Sequence, residues 1–254
     1  MRIDLNSDVG ESFGSWRIGS DAEVMRSITS ANVACGYHAG DPAVMRQTVR
    51  AAREAGVAVG AHPGFPDLVG FGRRELRASP REVEDMVLYQ VGALAAIAAA
   101  EGVSLRHVKA HGALYNMATR DRALADAIAG AIRAFDRSLV LFGLPGSELL
   151  RAGEAAGLRV VSEGFADRAY EPDGSLSPRT RPGSVIDDPD RVVARAVRLV
   201  RDGRVTCADG TELAIEVETL CTHGDTPGAG ELTRRLREGL GAAGITVCAL
   251  GGSS

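Results

Sequence analysis

Short apolar segments alternate with longer amphipathic stretches along this chain of 254 residues, and no other feature restricts its fold as strongly. The segments expected as strands are residues 2–8, 31–36, 57–62, 105–111, 139–144, 159–163, 219–223 and 245–250. Between them, the spacing of apolar positions predicts helices over 42–55, 81–100, 123–135, 147–156, 191–200 and 231–243. Asp41-Pro42 and Ser79-Pro80 supply helix starts, while Gly56, Gly102, Gly157 and Gly244 supply stops. A rhythm of this kind builds a mainly parallel sheet, either closed as a barrel or open with helices on both faces. Two stretches depart from it. Residues 167–184 form a polar loop rich in Pro and Gly, and 205–216, centred on Asp209-Gly210, predict a β-hairpin inserted before the seventh strand. No linker or short repeat divides residues 1–254, so one domain is expected.

Side-chain parity separates the two sheet types, because successive residues of a strand face opposite sides. Ile3 and Leu5 share one face of the first strand, and Asp4, Asn6 and Asp8 share the other. In the fourth, His107, Lys109 and His111 oppose Val108 and Ala110; in the third, Ala58, Gly60 and His62 oppose Val57, Val59 and Ala61. Cys221, His223 and Asp225 fall together, as do Val161 and Glu163. An open sheet covered on both sides would not tolerate such polar second faces. A barrel interior that becomes polar towards one mouth would. The expected fold is therefore α/β: a distorted TIM-like (β/α) barrel of seven or eight strands, for which about 250 residues is an ordinary length.

Charge and composition remove several functions. With 33 acidic against 29 basic residues and no basic run, the chain carries no electrostatic footprint for nucleic acid. Its longest apolar run, 91–100, is half the roughly 20 residues a membrane span needs, so it reads as a buried helix. Asp4 interrupts the region where a signal peptide would be apolar, which leads us to expect a cytoplasmic protein. Cys35, Cys207, Cys221 and Cys248 are far apart without a CxxC and read as buried thiols of a reducing compartment.

The polar residues gather at the C-terminal ends of the expected strands, where barrel enzymes place their active sites. Four of the five histidines, His38, His62, His111 and His223, end an apolar run and meet glycine within two residues. One such residue is a hydrogen-bonded turn histidine; turn chemistry does not account for four. His107 lies deeper and reads as a buried structural group. Among the acids, Asp41 before Pro42 reads as a helix N-cap, Asp8 and Glu11 follow the first strand, Asp225 is ambiguous, and Glu163 ends the sixth strand as a candidate base. Lys109 is the chain's single lysine and occupies an inward strand position, where a bound phosphate or carboxylate would hold it charged. Arg73, Arg74, Arg168 and Arg179 lie in strand-to-helix loops, either solvated or clamping an anion. No P-loop, HExxH or early GxGxxG is present. Asp8, His38 and His62 are the candidate ligands for a divalent metal, although their spacing is not compact.

Seven blocks, in order over nearly the whole chain, resemble the LamB/YcsF family: DLNSDVGE at 4–11, SANVACGYHAGD at 30–41, GAHPGFPD at 60–67, GFGRR at 70–74, VKAHGALYN at 108–116, EGFADRAY at 163–170 and CTHGD at 221–225. Tyr37 and Ala110 depart from the residues the family often has there, Phe and Pro, without removing a functional group. The resemblance implies a TIM-like barrel related to sugar deacetylases. It also implies ATP-dependent opening of the 5-oxoproline lactam to glutamate together with 5-oxoprolinase subunits B and C. Under that reading, Lys109 with Arg73 or Arg179 stabilises anionic groups, Asp8 or Glu163 is the base, and His38, His62, His111 and His223 orient groups or donate protons. Asn6, Glu11, Arg74, Arg168 and Asp225 would help bind substrate or phosphate, with ATP as its Mg²⁺ complex. Two rivals are a stand-alone metal-dependent amidohydrolase or deacetylase and a non-catalytic subunit that binds a small ligand.

Overall fold

The computed structural model describes residues 1–223 and 228–250. In chain order the elements are β1 (Arg2–Val9), α1 (Asp21–Val24), β2 (Ser30–Ala34), α2 (Pro42–Ala55), β3 (Ala58–His62), α3 (Pro80–Ala100), β4 (His107–Lys109), α4 (Gly112–Ala118), α5 (Arg122–Phe135), β5 (Val140–Gly143), α6 (Glu148–Ala155), β6 (Val160–Phe165), α7 (Pro189–Asp202), β7 (Arg204–Thr206), β8 (Glu212–Ala214), β9 (Thr219–His223), α8 (Ala229–Ala242) and β10 (Thr246–Val247). Seven parallel strands close a TIM-like barrel in the order β1-β2-β3-β4-β5-β6-β9, with β9 returning to pair with β1 from Asp4↔Thr219 to Asp8↔His223. The eighth expected strand shrinks to β10, which among the described residues pairs with Arg2 and Ile3. The antiparallel hairpin β7-β8 precedes β9, as its Asp-Gly centre predicts.

Local chemistry explains the helix boundaries. Asp41 accepts from the Ala43 and Val44 amides ahead of Pro42, and Gly56 ends α2 in the left-handed conformation. Ser79 and Glu82 form a reciprocal capping box on α3. By length and composition α3 could cross a membrane, yet Val83, Val87, Val91 and Leu94 are buried and the helix packs against α2 and α5. Two short helices, α1 and α4, are not anticipated by the apolar spacing. The fourth strand stops at Lys109 rather than 111, because Gly112, at φ +56, turns the chain straight into α4. α1 is one turn long and too short for a periodicity signal.

Ile3, Leu5, Val33, Val59, Ala61 and Val108 join the apolar core outside the strands. The opposite parity fills the barrel with polar groups that satisfy one another. Asp4 receives hydroxyl hydrogen bonds from Thr29 (2.7 Å), Ser30 (2.7 Å) and Thr219 (2.5 Å), and burial pushes its carboxyl upward despite them. His107 stacks on Phe142 and its Nε2–H donates to Asn32 Oδ1 at 2.7 Å; burial, with Lys109 nearby, lowers its pKa to about 3. A Cβ on Gly60 would sit 2.2 Å from His107 Nε2, so this strand position admits only glycine.

Candidate active site

Lys109 forms the floor of the site. Its Nζ is 2.9 Å from Glu163 Oε1, 3.0 Å from Asp8 Oδ1, 3.0 Å from Cys221 Sγ and 3.3 Å from Asn6 Oδ1. Burial opposes the charge on this ammonium, but the carboxylates of Asp8 and Glu163 more than offset that and hold its pKa well above the ordinary lysine value. Lys109 is therefore a fixed cation rather than a base. Around it, Asn6 Nδ2 donates to Glu163 Oε1 (3.0 Å) and Asn32 Nδ2 donates to Asp8 Oδ1 (2.8 Å). Tyr115 donates its hydroxyl to Glu163 Oε2 at 2.9 Å, one turn into α4.

Beside this floor lies a histidine cluster. His62, at the end of β3, and His111, just after β4, approach at 2.9 Å between Nε2 and Nδ1. His38 stacks on His111 with ring centroids 3.7 Å apart, and its Nε2 is 3.6 Å from Glu11 Oε1. Burial and neighbouring rings hold His38 and His111 well below the usual imidazole pKa, so both are neutral. The loop after β3 packs over the cluster. Phe71, the one non-glycine residue with positive φ (55°) among the described residues, directs its carbonyl to His111 Nε2 at 2.8 Å.

Above floor and cluster opens a cavity of about 510 Å³. Asp8, His62, Lys109, His111 and Tyr115 line its depth, and Arg73, Arg168 and Arg179 its rim. Arg168 is buried, donates to the Ser177 (2.6 Å) and Ser184 (3.3 Å) carbonyls, and has its pKa lowered to about 10 by burial with Arg179 nearby. A recess with a protonated lysine below and three guanidinium groups above suits a small anionic ligand.

Most of the expected site residues meet here. Asp8, His62, Lys109, His111, Arg73, Arg168 and Arg179 line the cavity. Asn6 and Glu163 lie beneath it, held by Lys109. Of the expected metal ligands, His38 and His62 come together, but their companions are Glu11 and His111. Asp8 turns instead to Lys109, with Oδ2 3.3 Å from His62 Nε2. Arg74 departs from its expected role: it ion-pairs with Asp67, which also accepts from the Gly70 amide, and so braces the loop. His223 ends β9 level with Asp8, but its side chain and all of Asp225 lie outside the described residues. Sequence reasoning missed Tyr115, Asn32 and Cys221. Its alternation with Thr219 and His223 sets Cys221 on the inward face of β9, but nothing in its own segment points to Lys109.

Residues 3–253 match the model of the LamB/YcsF family. The chain is 61% identical over 250 residues to the A subunit of 5-oxoprolinase from Symbiobacterium thermophilum, covering 98% of this chain and 96% of the relative. Against the corresponding 5-oxoprolinase A subunit of Methylococcus capsulatus, identity is 57% with the same coverage. The crystal structure of the lactam utilization protein from Thermus thermophilus superposes with a TM-score of 0.93 at 52% identity, covering 98% of this chain and 100% of that one.

Proposed function

Because this chain belongs to the LamB/YcsF family, we propose that it is the A subunit of a cytoplasmic, ATP-dependent 5-oxoprolinase, working with partner subunits B and C to open the 5-oxoproline lactam to L-glutamate. One observation carries the reading beyond the relatives' names: a fixed lysine cation under an arginine-rimmed cavity, with a carboxylate at its wall. A five-membered lactam is a poor electrophile, so water alone will not open it at a useful rate. Transfer of the γ-phosphoryl group of ATP to the lactam oxygen forms an O–P bond, releases ADP and makes the ring carbon electrophilic. Water then adds to that carbon and the C–N bond breaks, the nitrogen taking a proton. A second water hydrolyses the resulting acyl phosphate to glutamate and phosphate.

The residues divide this work by position. Arg73 and Arg179 face the cavity and balance phosphoryl or carboxylate oxygens, while Lys109 offsets negative charge on the oxygens bonded to the lactam carbon as water adds. Asp8 is the better candidate base, because it lines the cavity whereas Glu163 is wholly buried beneath it. Glu163 instead positions Lys109 and Tyr115. The test is 5-oxoproline-dependent ADP release, measured with the chain alone and with subunits B and C. ADP formation coupled to glutamate in the full mixture is the expected result. No turnover in any combination would reject the assignment. The histidine cluster gives one reason to consider an ATP-independent, metal-dependent amidohydrolase; lactam cleavage without ATP that disappears on chelation would favour that reading instead.

A further inference from the structure

The hydrogen bonds around the histidine cluster fix where its lone pairs point. His62 Nδ1 is 2.7 Å from the Lys109 carbonyl and His111 Nε2 is 2.8 Å from the Phe71 carbonyl. A carbonyl only accepts, so each of these nitrogens carries the ring proton. In neutral rings the other nitrogens, His62 Nε2 and His111 Nδ1, are then both acceptors, yet they face each other at 2.9 Å, with Asp8 Oδ2 also 3.3 Å from His62 Nε2. Two lone pairs at that distance repel unless a positive centre lies between them. Glu11 Oε1 approaches the same point, 3.6 Å from His111 Nδ1 and 3.6 Å from His38 Nε2. His38 is fully buried, and neither of its ring nitrogens has a hydrogen bond among the described residues.

We infer that Glu11, His38, His62 and His111 form a four-coordinate site for a borderline divalent transition cation of the zinc class. One donor atom from each lies within 4.8 Å of all the others. Zinc bonds of about 2.0–2.1 Å in a tetrahedron place neighbouring donors on the order of 3.4 Å apart, close to the 2.9 and 3.6 Å separations found. Imidazole and carboxylate donors suit zinc, cobalt or nickel better than calcium or magnesium. The carbonyls of Lys109 and Phe71 orient two of the rings from behind, as such sites require. A proton shared between His62 and His111 would relieve that one pair but would leave the buried His38 nitrogens unexplained. With three histidines and a carboxylate the coordination shell is full, so the cation would fix the mouth of the barrel and its field rather than activate water.

Such a site belongs to this chain alone and does not depend on the proposed reaction. The test is cobalt titration of the chelator-stripped full chain. About one equivalent of Co²⁺ should produce the intense visible absorption of four-coordinate cobalt, and Zn²⁺ should displace it. Zn²⁺ should also raise the melting temperature, as a ligand of the native state does. His38→Ala and Glu11→Gln should each weaken binding at least tenfold while keeping the native far-ultraviolet circular dichroism; should one fail to fold, the other carries the comparison. Wild-type protein with native dichroism that gives only the weak spectrum of six-coordinate cobalt, or an intense spectrum unchanged in both variants, would overturn the site.

Discussion

Lys109 Nζ and Glu163 Oε1 lie 2.9 Å apart inside a closed barrel, the lysine 3% exposed and the glutamate not at all. Asp8 shares the same ammonium at 3.0 Å, so a single lysine cation balances two buried carboxylates. Removing that cation should cost far more than an exposed ion pair would. Lys109→Met is expected to lower stability by about 3–5 kcal/mol, because it strands buried charge. Adding Glu163→Gln should restore part of that loss without restoring lactam cleavage. Urea unfolding of both variants checks the pair; no recovery in the double variant would contradict the charge argument.

The glycine between His111 and α4 carries a second prediction. At Gly112 φ is +56°, and a Cβ would lie 2.5 Å from the Gly72 carbonyl oxygen, in the loop whose Phe71 holds His111. Gly112→Ala must both strain its own backbone and displace that loop. Gly146, at φ +72° with nothing within 4 Å of its Cβ position, serves as the control. Its replacement by Ala should cost about 1–2 kcal/mol, and thermal melts should show a clearly larger loss for Gly112→Ala.

How far the sequence anticipates this site depends on whether a relation is local. Parity along β1 and β4 places Asp8, His107 and Lys109 inside the barrel, because alternation is a property of the strand itself. Glycine after each strand-end histidine marks the mouth for the same local reason. Relations across the barrel are different. Tyr115 meets Glu163 across 48 positions and Cys221 meets Lys109 across 112, and neither pairing leaves a trace in its own segment. Arg74 illustrates the converse, since Asp67 neutralises it seven residues away. Its position in a glycine-rich loop looks the same whether it faces an anion or that aspartate. The ligand set of the histidine cluster falls between these cases: strand ends supply His62 and His111, while Glu11 enters only once the barrel closes.

On the outer surface, Glu101 joins α3 to α2 by accepting from Arg46 Nη1 at 2.6 Å and Arg50 Nε at 2.7 Å. The hydrogen bond from Arg50 is the main cause that holds its carboxyl below the ordinary 4.5. An acid whose folded pKa is depressed stabilises the fold above its unfolded value, and that stability is lost as pH falls through the folded one. Glu101→Gln should therefore lower the melting temperature at neutral pH. The difference from wild type should shrink below about pH 4.5 and vanish at lower pH; a difference that stays constant with pH would exclude the charge as its source.

Thiol reactivity should follow burial. Cys35, Cys207 and Cys221 are buried and Cys248 is partly exposed beside Arg2. Burial pushes the Cys35 thiol up to about 12 and the Cys221 thiol well above its ordinary value. Alkylation of native protein at mildly alkaline pH should label Cys248 first, with the other three appearing only on unfolding. Mass spectrometry of the labelled peptides checks this order, and early labelling of Cys221 would contradict the closed floor around Lys109.

The central claim is that Lys109 supports ATP-coupled lactam opening within a complex of three subunits. The most direct measurement is glutamate and ADP release from 5-oxoproline by complexes assembled with either wild-type chain or Lys109→Met, each first shown to assemble with subunits B and C. The account predicts coupled release of both products by the wild type and a loss of at least a hundredfold, on the order of 3 kcal/mol of transition-state stabilisation, in the variant. Undiminished glutamate formation by the assembled Lys109→Met complex would contradict it.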